Sequence, residues 1–69
     1  MPLFKVDDRV EKIDGLVSPY AKHGVITRVF PYRIGEFSFT QYEVKMDGGF
    51  ITTVYETELR LVKAADNSK

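Results

Sequence analysis

One stretch of the chain gathers basic and aromatic side chains without an acid among them. Lys22, Arg28 and Arg33 put three formal positive charges, with His23 beside the first, into a twelve-residue span that contains no acid. Tyr20, Phe30 and Tyr32 are interleaved with them. Cations among aromatic rings suit single-stranded RNA or DNA, because rings stack on bases while cations meet phosphates. An ordinary solvated loop carries the same composition, so nucleic acid is one candidate partner, with Lys22, Arg28 and Arg33 as its candidate contacts.

Acid–base chemistry has less to work with. His23 is the single histidine, which excludes a His-rich metal site, and no loop has the carboxylate spacing of an oxygen-ligand site. A proton-transfer role for His23 would need an orienting partner inside a pocket. Glu56 and Glu58 read as solvated acids around a turn, no serine sits in a nucleophile elbow, and Gly48-Gly49 belongs to a hairpin and not to a phosphate loop. The sequence therefore nominates no catalytic residue, no metal site and no cofactor.

Composition narrows the classes further. Sixty-nine residues make one domain, which at this size buries only about 60% of the surface its unfolded chain exposes. Ten basic residues balance ten acidic ones, so no global field draws the chain to a polyanion or an anionic membrane. The absence of cysteine excludes disulfides and thiolate metal sites and suits a reducing compartment, so a cytoplasmic location is expected. Apolar runs are only a few residues long, and Met1 is not followed by a basic start and apolar core, so neither export nor membrane insertion is expected. Nine aromatics exceed what so small a core can hide, which places some rings at the surface.

The elements that must position these groups are strands. Phe4 and Val6 alternate in an extended lead-in, and Asp8–Ile13 reads as strand one, with Asp14-Gly15 as a turn and 16–22 as a long loop carrying Tyr20. His23–Phe30 has the β-branched and aromatic bias of strand two, but Gly24, Ile26 and Val29 break strict alternation by one residue, which a bulge would restore. Pro31 lacks a backbone donor, so 31–37 is expected to be a loop or flared hairpin end flanked by Tyr32 and Phe37. Phe39–Met46 alternates cleanly, with Tyr42, Val44 and Met46 on one face and Gln41, Glu43 and Lys45 on the other. Asp47-Gly48-Gly49 is a hairpin turn that returns Phe50–Val54 antiparallel. Tyr55–Glu58 reads as a 3₁₀ turn and Leu59–Val62 as the closing strand, so residues 1–63 form the domain and 64–69 a frayed polar tail.

This order resembles the SH3-like small barrels, a class that includes SH3, Tudor and KOW modules, over roughly Lys5–Val62. The residues that carry it are Asp8-Arg9-Val10, the Gly24, Ile26 and Val29 spacing, and Glu58–Val62. The resemblance implies an all-β, five-stranded SH3-like barrel with one short 3₁₀ turn before the last strand. It also implies that the first loop, the second loop and the 3₁₀ turn lie along one side, which would gather Tyr20, Tyr32, Phe37 and Tyr55 into a shallow ligand-binding groove. SH3 grooves take proline-rich peptides and Tudor cages take methylated Lys or Arg. The plainer alternative is that two or three of these rings cap a small core.

Asp8-Arg9-Val10-Glu11-Lys12 also resembles the Asp-Arg-Val-x-Lys of the small plasmid-borne, trimethoprim-resistant dihydrofolate reductases, tetramers of SH3-like barrels with a central pore. That resemblance carries Lys12 and Tyr55 over as site residues. Thr53 stands where that family has a ligand-binding Gln, and a hydroxyl cannot supply an amide's donor and acceptor pair; the family's Trp is also missing. The leading expectation is a non-enzymatic interaction module or accessory subunit that binds a peptide, protein partner or nucleic acid, with an oligomeric pore-type reductase as the alternative. Unpaired strand edges would also allow a homo-oligomer.

Overall fold

The computed structural model describes residues 2–13 and 21–65, and within them the protein is all-β. Strands β1 (Arg9–Lys12), β2 (His23–Ile34), β3 (Phe37–Met46), β4 (Ile51–Tyr55) and β5 (Leu59–Lys63) form one antiparallel sheet in the order β4-β3-β2-β1-β5. A 3₁₀ turn, Glu56–Glu58, joins β4 to β5. Those two strands are neighbours in the chain but lie at opposite ends of the sheet, so the sheet is open. Five strands with a 3₁₀ turn before the last match the reading of the sequence and are compatible with an SH3-like fold.

Alternation sorts the strands into an inner and an outer face. Tyr42, Val44 and Met46 of β3 are buried, together with Val54 of β4, Ile26 of β2, Val10 of β1, Leu59 of β5 and Phe4 from the lead-in. The β2–β3 register shifts between Ile26 and Arg28. This one-residue bulge returns Val29 to the inner face opposite Tyr42, where it packs against the core. Without it every residue beyond Ile26 would change sides.

One expectation fails. The chain does not leave the ladder at Pro31: β2 continues to Ile34, with Pro31 opposite Thr40, Tyr32 opposite Phe39 and Ile34 opposite Phe37. β1 covers only His23–Val25 of β2, so beyond the bulge β2 has a neighbour on one side alone. A proline there can turn its missing donor to the open side without costing a ladder bond. The connection shrinks to Gly35-Glu36, with Gly35 at φ 60°, which fits a two-residue turn with glycine at its first central position. Tyr32 and Phe37 are therefore strand residues, held at fixed positions on a pleated surface.

Tyr42 ties the lead-in to the 3₁₀ turn. Its ring is fully buried and meets Phe4 edge-on, with centroids 5.4 Å apart. Its hydroxyl donates to Glu56 Oε2 at 2.5 Å and accepts from the Phe4 N–H at 3.2 Å, while the Leu3 N–H donates to the same Glu56 oxygen at 2.9 Å. Burial, and then the bond to the Glu56 carboxylate, push the phenol pKa up from 10.0 to about 12. A phenol harder to ionise in the folded state contributes stability that is whole below pH 10 and disappears as pH rises toward 12. Tyr42→Phe orphans the Phe4 donor and is expected to cost about 1–2 kcal/mol at neutral pH. Urea denaturation should show that difference shrinking between pH 10 and 12, since only the wild type has this ionisation to lose.

Candidate functional site: an aromatic groove beside an unpaired strand edge

Phe37 and Phe39 are two residues apart on β3, so both face away from the core that receives Tyr42 and Val44. Register places Tyr32 opposite Phe39 and Tyr55 opposite Gln41, on that same outer face. The four rings converge on Phe39. Tyr32 stacks on it with centroids 5.1 Å apart and planes at 22°, Phe37 lies at 5.6 Å and Tyr55 at 6.1 Å. Phe39 is half-buried by its neighbours, whereas Tyr32, Phe37 and Tyr55 remain 44%, 64% and 50% exposed.

A groove of about 550 Å³ runs along this cluster, lined by Phe37–Thr40 of β3 and by Tyr55, Glu56 and Thr57. It exists because the strands end at different places. β3 begins at Phe37, but β4 pairs with it only from Gln41 to Lys45, and the chain then turns away into the 3₁₀ turn. Glu58 Oε1 accepts the Tyr55 N–H at 2.9 Å, which fixes the backbone where the Tyr55 ring leaves the sheet. Residues 37–40 thus have β2 on one side and no strand on the other among the described residues.

The candidate basic contacts do not gather in the same way. Lys22 precedes β2, Arg28 follows the bulge opposite Glu43, and Arg33 lies near the hairpin turn, its Nε donating to Gly35 O at 3.1 Å. One acid, Glu11, stands among the basic groups near Lys22. Glu11 accepts from Arg60 and lies 3.2 Å from His23 Nε2. The Arg60 hydrogen bond, opposed by desolvation and helped by the charges of Arg60 and Lys22, holds the Glu11 carboxyl below its usual range. These cations are spread from just before β2 to its far end, and Lys22 and Arg28 each have an acid nearby.

Tyr20 lies outside the described residues, so the ring cluster holds Tyr32, Phe37 and Tyr55 of the four rings singled out in the sequence, with Phe39 at their centre, and of these Phe37, Phe39 and Tyr55 line the groove. Among the other sequence candidates, Lys12 ends β1 and Tyr55 ends β4, strands that are not neighbours in the sheet. Thr53 is on the outer face opposite Glu43, and Val54 is in the core. Among the described residues no group of three or more His, Cys, Asp or Glu side chains converges as a metal site, and no helix is long and apolar enough to cross a membrane. No protein-family model, curated protein or solved structure matches the chain.

Proposed function

We propose that this chain is a non-enzymatic interaction module, an SH3-like barrel whose outer-face groove holds a peptide or a segment of a partner protein. The barrel reading draws support from the strand order, in which β5 lies beside β1, and from the long β2, which pairs with β1 before its bulge and with β3 along its length. The binding reading rests on one observation: Tyr32, Phe37, Phe39 and Tyr55 pack against one another on the face opposite the core. Rings recruited only to cap the core would lie on the inner face. Aromatic side chains that stay half-exposed in a cluster lose little entropy when a ligand covers them, which is why they dominate binding surfaces. Scattered cations on a neutral chain give nucleic acid weaker support.

Heteronuclear NMR titration tests the proposal. The probes are capped hexapeptides of three kinds, proline-rich, methyl-lysine-containing and alternating apolar–polar, with a single-stranded oligonucleotide for comparison. The expected result is perturbation of Tyr32, Phe37, Phe39 and Tyr55 by a peptide. Silence at all four with every peptide overturns the reading. Phe39→Ser should leave the core intact and weaken the bound peptide by about 2 kcal/mol, roughly thirtyfold in Kd.

A further inference from the structure

The unpaired edge specifies how a ligand would lie in the groove. Met46 N–H donates to Phe50 O across the β3–β4 turn, whereas Asp47 N–H donates to His23 O of β2. Even-numbered residues of β3 therefore turn their backbone groups toward β4 and odd-numbered ones toward β2. Continued to the start of the strand, this alternation puts the N–H and C=O of Ser38 and Thr40 on the side that β4 leaves empty. There the Gln41–Tyr55 pair ends the ladder with the Glu56 N–H directed to the Thr40 carbonyl, so the Thr40 N–H and both backbone groups of Ser38 have no strand beside them among the described residues. An edge of this kind pairs with another extended chain.

We infer that the groove takes a short peptide in extended conformation, added to β3 along Phe37–Thr40 as a strand in line with β4, with apolar side chains at alternate positions and a basic residue at one end or both. The inference rests on the groove being a peptide site. Strand addition satisfies the Ser38 N–H and C=O and the Thr40 N–H, which stacked bases or a polyproline helix would leave unpaired. Alternate side chains of the added strand fall on the Phe37, Phe39 and Tyr55 face.

Area and charge choose the occupant. Tyr32, Phe37, Tyr55 and the neighbouring Ile34, 69% exposed, leave about 400 Å² of mostly apolar surface, half of the roughly 800 Å² per partner that a stable dimer buries. A second folded copy is therefore a poor fit and a short segment a good one. Carboxylates stand at both ends of the edge. Glu36 is exposed beside Phe37 and makes no hydrogen bond or ion pair among the described residues, and Glu56 lines the far end with Oε2 engaged by Tyr42 and Leu3. Arg33, paired in register with Ser38, sits on the β2 side. The flanks of the site are thus acidic, and a peptide with terminal lysines complements them.

Amide hydrogen exchange on the intact chain tests the inference, with capped hexapeptides in which valine, leucine or phenylalanine alternates with threonine between terminal lysines. At saturation the Ser38 and Thr40 amides should exchange more slowly by about tenfold or more, while those of Phe37 and Phe39, already turned toward β2, change little. Peptides N-methylated on the nitrogens that face β3 should lose this protection. A peptide that shifts the ring resonances without protecting Ser38 and Thr40 overturns strand addition and leaves the groove as a peptide site. No ring shift and no protection with any peptide overturns both. Protection that depends on protein concentration without peptide, with a dimer in sedimentation, assigns the edge to a second copy and also overturns the inference.

Discussion

Gly24→Ala is expected to remove about a third or more of the protein's stability. Gly24 lies where three strands meet, paired with Val10 of β1 and Met46 of β3. A Cβ on it would stand 2.6 Å from Lys45 O, 2.7 Å from Val44 Cγ1 and 3.0 Å from Met46 Cα. Two of these three atoms belong to the β3 backbone, which cannot rotate aside as a flexible side chain would, and the third is on a fully buried valine. Relief requires β2 and β3 to separate at the centre of the sheet. Overpacking of this kind costs roughly 3 kcal/mol or more, against a total stability of about 3–10 kcal/mol for a chain of this length. Urea denaturation followed by circular dichroism would register the loss. Gly35→Ala and Gly49→Ala serve as controls, because both glycines have positive φ, 60° and 98°, but open space where a Cβ would go. Each should cost only about 1 kcal/mol of backbone strain. If Gly24→Ala is no worse than these two, close packing at the crossing is not what requires glycine there.

The same crossing shows how far the sequence could be read. Alternation in β3 separates an apolar inner row from a polar outer row, and the broken spacing of Gly24, Ile26 and Val29 signals a bulge before any coordinates are known. Both depend on neighbours a few residues apart, and local pattern records such relations well. Pro31 misleads because its effect depends on what lies beside it. In a central strand a proline would end the ladder, but here β1 stops short and the proline lies at an edge. That one misreading hid Phe39, the ring at the centre of the cluster. With 31–37 taken as a loop, Tyr32 has no register partner and Phe39 is merely the first residue of a strand. Extending the outer row of Gln41, Glu43 and Lys45 backwards would have put Phe39 and Phe37 on the exposed face together. The acid-free run of cations was legible, but not the placement of Glu43 opposite Arg28 or of Glu11 beside His23, because those acids come from other strands.

The sequence gives still less warning of Asp8, and its replacement should have the second-largest effect. Asp8 is 3% exposed, the only buried charged residue among those described. Its Oδ2 accepts the Lys5 N–H at 3.0 Å, and its Oδ1 accepts the Ala65 N–H at 2.7 Å and lies 3.4 Å from Lys5 Nζ. One carboxylate thus fastens the lead-in turn to the chain just beyond β5. The adjacent backbone anchors the same turn to β2, with Asp7 N–H donating to Ile26 O and Ile26 N–H to Asp8 O, while Asp7 itself sits at φ 77°. Burial raises the carboxyl pKa, but the Ala65 and Lys5 backbone donors and then the Lys5 ammonium outweigh it, so the group ionises below its ordinary value of 3.8. A depressed folded-state pKa means that this contribution is complete above pH 3.8 and fades as the pH falls through the folded value. Asp8→Ala removes the acceptor from two backbone donors at once and is expected to cost about 2–3 kcal/mol at pH 7. Asp8→Asn keeps one acceptor oxygen but turns an amide N–H₂ toward the other donor, so it should recover little of that loss. Denaturant titrations of the three proteins at pH 7 and pH 2.5 separate the contributions. The wild type should lose stability on acidification by more than either variant, and the gap between them should narrow. An unchanged gap at pH 2.5 would mean that Asp8 acts through its shape and packing, with its charge contributing nothing to the clasp.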